Sequence, residues 1–135
     1  MYASRGIQAY AQVDLQSQLA GATPHQLITM LYDGAHNAIL RAKIYFETGN
    51  VARRGEMISK AINIIDNGLR ASLDFEKGKG IAEEMEMLYD YMSRTLLECN
   101  LRNNPDALPH VDELLMNLAN TWKEIDPQQK QVKNV

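Results

Sequence analysis

Between residues 23 and 126 the apolar positions recur three and four apart, the period of an α-helix, and no segment alternates as a strand would. Leu27, Leu31, Ala35, Ala38, Ala42 and Tyr45 form one row; Ile28, Tyr32, Ala35, Ile39, Ala42 and Phe46 form a second. Two rows make a stripe wide enough to pack on two neighbours. Thr23-Pro24-His25-Gln26 predicts the start of this helix. The Thr23 hydroxyl suits the free amides of the first turn, Pro24 suits the first helical position, and Gln26 completes a capping box. Gly49-Asn50 ends it.

A second helix is predicted from about Val51 to Phe75, with Ile58, Ile62, Ile65, Leu69 and Leu73 in one row. Gly78-Lys79-Gly80 reads as a turn. A third helix, from about Ile81 to Leu101, carries Ile81, Met85, Leu88, Met92, Leu96 and Cys99, with Met87, Tyr89 and Tyr91 adding apolar surface beside that row. The fourth holds Val111, Leu115, Leu118, Trp122 and Ile125, and Pro127 closes it. Its start is open. Asn104 could cap it with Pro105 first, but Pro109 would then fall where an amide is needed, whereas a start near Leu108 removes the conflict.

Helices of about twenty residues are roughly 30 Å long. Short connections set sequential neighbours antiparallel, so the pattern predicts an all-α fold: an up-down-up-down four-helix bundle over residues 23–126. Residues 1–22 carry only scattered apolar positions and read as an N-terminal arm that docks on the body, with Ile7 and Tyr10 three apart on one helical face. Residues 127–135 are polar and read as a disordered tail.

Composition narrows the function by exclusion. The 135 residues carry 14 basic and 17 acidic side chains, a net charge of -3, with no basic stripe for a nucleic-acid partner. No run approaches the ~20 apolar residues of a membrane span, and the first residues lack the apolar core of a secretory signal, so the expectation is no membrane insertion and a cytoplasmic (cytosolic) protein. Cys99 is the single cysteine and cannot form an internal disulfide; it falls on an apolar helix position, as a small hydrophobe would.

The chemistry-bearing residues do not assemble. No Glu-x-x-His pair is present, and His25, His36 and His110 share no metal-ligand spacing on one helix face. There is no phosphate-binding loop and no G-x-S-x-G. Asp33, Asp66 and Asp90 lie beside apolar residues on helices, where inter-helix contacts are a simpler role than catalysis. The expectation is a protein that is not an enzyme and needs no cofactor or metal. Gly34 and Gly68 interrupt helices near seam positions, as close helix approach would require.

A binding role rests on surplus apolar surface. The face shared by the second and third helices, with Ile62, Ile65, Tyr89, Met92 and Leu96, is the candidate, and its methionines suit an imperfect partner. The same residues also fit a plain core. Two rivals stand beside this reading: a dimeric structural or adaptor bundle that covers the surplus with a second copy, and an enzyme with a carboxylate site between helices.

Thr23-Pro-His-Gln-Leu-Ile-Thr-Met-Leu-Tyr-Asp-Gly-Ala35, Ser59-Lys-Ala-Ile-Asn-Ile-Ile65, Leu73-Asp74 with Glu76, and Leu88-Tyr-Asp-Tyr-Met92, in this order and spacing, resemble the flagellin export chaperone family, FliS. Ala9-Tyr10 and the Trp122 region also fit, so the resemblance covers roughly residues 5–125. It implies an antiparallel four-helix bundle in the bacterial cytoplasm. It implies binding of the disordered C-terminal segment of flagellin, prevention of premature polymerisation, and delivery to the flagellar type III export gate. It also implies an arm, here with Ile7 and Tyr10, that folds over an apolar pocket, and an anti-sigma factor as a further partner. The sequence departs from the family pattern in the loop, where Gly78-Lys79-Gly80-Ile81-Ala82 precedes Glu84-Met85 in place of Gly-Gly-Glu-Ile-Ala and an Asn-Leu pair.

Overall fold

The Thr23 hydroxyl accepts a hydrogen bond from the Gln26 amide at 3.1 Å, and the Gln26 side-chain oxygen accepts from the Thr23 amide at 2.9 Å. This reciprocal cap opens helix α1 (Pro24–Thr48) as the sequence predicts. The computed structural model describes residues 21–126; the expected arm with Ile7 and Tyr10, apart from its last two residues, and the tail at 127–135 lie outside the described residues. Gly49 ends α1 with φ 73°, a left-handed turn that glycine adopts without strain. Asn50 then caps α2 (Val51–Asn63), accepting from the Arg53 amide at 3.1 Å.

The second helix does not run unbroken to Phe75 as its periodicity predicts. Regular α-helix stops at Asn63, and the chain continues into a π-helical segment, Ile64–Leu69, and a 3₁₀ turn, Arg70–Ser72. The Arg70 amide reaches back five residues to the Ile65 carbonyl, the signature of the wider turn. Four of the six π-helical residues, Ile64, Ile65, Gly68 and Leu69, are buried. A Cβ on Gly68 would sit 3.2 Å from both methyl carbons of Leu31, so α1 approaches this turn as closely as glycine allows. Asp74 then caps a separate short helix, α3 (Phe75–Gly78), accepting from the amides of Glu76 and Lys77. The expected Gly-Lys-Gly turn contracts to Lys79 alone, with φ 49°, because Gly78 closes α3 and Gly80 opens α4 (Gly80–Arg102).

Asn103, with φ 51°, ends α4, and α5 runs Leu108–Glu124. The later of the two possible starts is therefore the real one. Pro109 falls in the first turn, where a missing amide costs no helical hydrogen bond. Among the described residues all regular structure is helical.

Helix α1 packs on α2 with its π-helical extension and on α5, while α4 packs on α2 and, less extensively, on α5. The core draws on all four long segments: Tyr32 and Ile39 from α1, Ile58 and Ile65 from the second, Met92 and Leu96 from α4, Leu108, Val111 and Leu115 from α5. Two predicted row members turn outward instead: Ile81, in the first turn of α4, and Ile125, just past α5, lie beyond the neighbours that would cover them.

Polar contacts fix the helices at their ends. Arg54 is buried, yet its acceptors are all uncharged. Nε donates to the Asn100 side chain at 2.9 Å, Nη1 to the Asn103 side chain at 2.6 Å and Nη2 to the Asn100 carbonyl at 3.2 Å. The guanidinium also lies 4.8 Å from the centre of the Phe46 ring. One side chain thus ties the start of α2 to the ends of α1 and α4, where carbonyls favour a cation. At the opposite end, the Trp122 indole donates to the His25 carbonyl at 2.9 Å and stacks on the His25 ring at 4.2 Å. His36 and Asp112 pair at 2.6 Å across the α1–α5 seam.

Candidate functional site: an interaction surface

Sequence spacing places Ile62, Ile65, Tyr89, Met92 and Leu96 on one face, and the structure brings all five to the α2–α4 side of the molecule. Four of them point inward. Ile65, Met92 and Leu96 are 0% exposed and Tyr89 2%. The reason is geometric: the rows of α2 and α4 face each other and α1 closes over them, so their three- and four-residue spacing is that of a seam. In this arrangement the four present no surface. Ile62 is half-buried and reaches the outside, and Ile7 and Tyr10 lie outside the described residues.

Tyr89 also brings a buried polar contact that sequence reasoning passed over. Its hydroxyl lies 2.6 Å from that of Tyr32, and each phenol is the other's partner. Burial raises the pKa of both above the ordinary 10.0; for Tyr89 the neighbouring Tyr32 adds to the rise, while for Tyr32 the shared hydrogen bond offsets part of it. The pair stays neutral and holds α1 to α4. Cys99 is buried as expected, and burial pushes its thiol up as well.

Outside this seam runs a groove. Ser59, Ile62, Asn63, Asp66 and Asn67 form one wall, and Asp90, Ser93, Arg94 and Leu97 the other. Its floor is polar: Ser93 donates to Asp66 at 2.7 Å, and Asn67 donates to Asn63. At its edge Arg70 lies 3.2 Å from Glu86, 3.3 Å from Asp90 and 3.8 Å from Asp66, while Arg94 lies 3.0 Å from Asp90. The carboxylates considered for catalysis are thus tied up in ion pairs. Asp33 meets Lys123 at 3.5 Å on the far side. Among the described residues no three His, Cys, Asp or Glu side chains are grouped to hold a metal ion.

The exposed apolar surface of α4 lies on the sides of the helix turned away from the predicted face. Of ten large hydrophobic residues exposed among the described ones, five are on this helix: Ile81, Met87, Tyr91, Leu97 and Leu101. Met87 and Tyr91 are four apart, as are Leu97 and Leu101, so each pair shares a side of the helix. The His110 ring meets Tyr91 edge-on at 6.0 Å, extending the patch onto α5. The signal for Leu97 and Leu101 was present in the sequence, as apolar residues left over once the core row is assigned. No described helix is long and apolar enough to cross a membrane.

The sequence matches the family model described as "FliS: Flagellar protein FliS" over residues 6–129. It is 55% identical over 127 residues to the flagellar secretion chaperone FliS of Salmonella typhimurium, covering 94% of each chain. It is 46% identical over 124 residues to that of Escherichia coli (strain K12), covering 92% of this chain and 91% of the relative. With that of Bacillus subtilis (strain 168) the identity is 32% over 111 residues, 81% of this chain and 80% of the relative.

Proposed function

This chain belongs to the FliS family of flagellar secretion chaperones, and from that membership we propose that it binds the disordered C-terminal segment of newly made flagellin in the cytosol. It keeps that segment from premature polymerisation and delivers it to the flagellar type III export gate. The family is one of chaperones, not of enzymes. In this reading the four long helical segments form an antiparallel up-down-up-down bundle. Support comes from the short turns at Gly49–Asn50 and 103–107 and from the packing of each long segment on two others.

The observation that carries the site is the concentration of exposed apolar residues on α4. A segment that is disordered when free gives up chain entropy on binding and must recover it by burying apolar surface. Met87 with Tyr91 on one side of α4, and Leu97 with Leu101 on another, each give a partner segment two anchors four apart. Ile62 contributes at the groove edge, while Ile65, Tyr89, Met92 and Leu96 support the face from beneath. Ile7 and Tyr10 belong to the arm that competes for it. Contacts with the export gate and with an anti-sigma factor follow from the family resemblance.

The test is calorimetric titration of the flagellin C-terminal segment into the wild type and into a Leu97→Asp/Leu101→Asp variant, with Leu40→Asp on α1 as control. We expect the α4 variant to lose most of its affinity while melting as the wild type does. Undiminished binding by the α4 variant would move the site elsewhere.

A further inference from the structure

A second groove lies on the other side of the molecule, between the C-terminal half of α1 and the start of α5. Ile39, Leu40, Lys43, Leu108, Pro109, Asp112 and Glu113 line one half. Lys43, Phe46, Glu47, Pro105, Asp106 and Pro109 line the other. The halves share Lys43 and Pro109 and form one trough. Its floor is apolar, with Ile39 and Leu108 sealed below and Leu40 43% exposed at the lip. Its ends are acidic. Asp112 and Glu113 stand at one end, Glu47 and Asp106 at the other, and of the lining residues Lys43 alone is cationic between them. Asp112 is partly engaged by His36 at 2.6 Å; Glu47, Asp106 and Glu113 are exposed and make no ion pair among the described residues.

We propose that this trough docks an amphipathic helix bearing a cationic residue at each end of a short apolar stripe. The spacing follows from α1. Residues 40 and 47 flank the two ends, and seven residues of helix span about 10.5 Å. An occupant helix laid along the trough therefore presents two cations seven apart with two apolar residues between them, in the pattern Lys-x-x-Leu-Leu-x-x-Lys. The apolar pair covers Leu40, Phe46 and Pro109, and the flanking cations meet the two acidic ends. Lys43 repels any cation at the centre of the occupant, so a uniformly basic segment is disfavoured: the site selects by rejection as well as attraction. The trough is separate from the proposed flagellin face on α4, and neither site needs the other.

The test uses two synthetic helical peptides, one with the Lys-x-x-Leu-Leu-x-x-Lys pattern and one with glutamates replacing both lysines. Each is titrated into the ¹⁵N-labelled full chain and into a Glu47→Lys/Glu113→Lys variant. Both substitutions fall on exposed residues, and a matching thermal melt verifies the fold. The lysine peptide should shift amides at 39–47 and 105–113 of the wild type. Its affinity should fall about tenfold in the variant, the effect expected from losing two exposed ion pairs. The glutamate peptide should bind the variant better than the wild type. Three results would overturn the proposal: equal binding of both peptides to both proteins, shifts confined to α4, or no binding of the lysine peptide at the solubility limit. A dimer in sedimentation of the wild type that the Glu47→Lys/Glu113→Lys variant does not form would overturn it as well.

Discussion

Leu96→Ala separates a core residue from a contact residue on the face that sequence spacing singles out. Leu96 is 0% exposed and belongs to the cluster with Tyr32, Ile58, Ile65 and Met92. Truncation removes three carbons from a site whose neighbours come from several helices and cannot all collapse inward. Substitutions of this kind cost about 2.7–5 kcal/mol, the larger values going with sites that relax least. Near the melting point the entropy of unfolding is about 2.1 cal/mol/K per residue. Taken over roughly one hundred residues, about the number the structure describes, a loss of ~3 kcal/mol lowers Tm by about 14 °C. Leu101→Ala, at a residue 72% exposed on the same helix, should cost less than about 0.5 kcal/mol. Thermal and urea unfolding followed by circular dichroism measure both, and the flagellin segment is then titrated well below each Tm. Leu96→Ala should be much less stable yet bind nearly as wild type; Leu101→Ala should be stable yet bind weakly. The reverse pattern would mean that the α2–α4 seam opens to take its partner and that the closed arrangement is not the one that binds.

Polar groups in the interior give three more expected outcomes. Arg54→Ala should destabilise by several kcal/mol, since hydrogen bonds to a charged group contribute about 1.5–3 kcal/mol each and the acceptors at Asn100 and Asn103 are left behind; Arg54→Lys should not restore the melt, because an ammonium lacks the fork that reaches three acceptors. Tyr32→Phe or Tyr89→Phe strands a buried hydroxyl at a cost of about 1–3 kcal/mol, while the double variant removes both partners and should be more stable than either single one in urea unfolding. Both phenols have folded pKa values raised above 10.0, so at alkaline pH the unfolded chain gives up protons that the folded protein keeps; stability should be level up to about pH 10 and fall above it, and ultraviolet titration should find two tyrosines ionising only as the protein unfolds.

The sequence makes its local signals most legible. Thr23, Pro24 and Gln26 form the predicted cap because their roles need only neighbouring backbone, and Gly49 marks its helix end for the same reason. The inward rows through Ile58, Ile65, Leu69, Met92, Leu96, Val111 and Leu115 also emerge from spacing, since burial of a helical stripe dictates it. The π-helical turn at Ile64–Leu69 does not. One turn of either helix type keeps similar residues inward, so apolar periodicity cannot tell them apart, and only the contact of Leu31 with Gly68 shows the local approach. The candidate face differs in another way: four of its five described residues are buried in this arrangement. Periodicity finds apolar residues that belong together, but the most regular row is the one the protein hides, and a surface for a partner is made of residues left over, such as Leu97 and Leu101.

The π-helical segment has a consequence for how this chain tolerates changes in length. A π turn holds about one residue more than an α turn over nearly the same rise. Elsewhere in a helix, deleting one residue rotates everything downstream by about 100° and takes the buried row out of the core. Within Ile64–Leu69 the same deletion can be absorbed by tightening the turn to α-helical pitch, with Arg70 and the capping Asp74 kept in place. The second helical segment thus carries a slack residue beside the close approach of Leu31 to Gly68. That makes this turn a place where loss of a single residue is compatible with the same core.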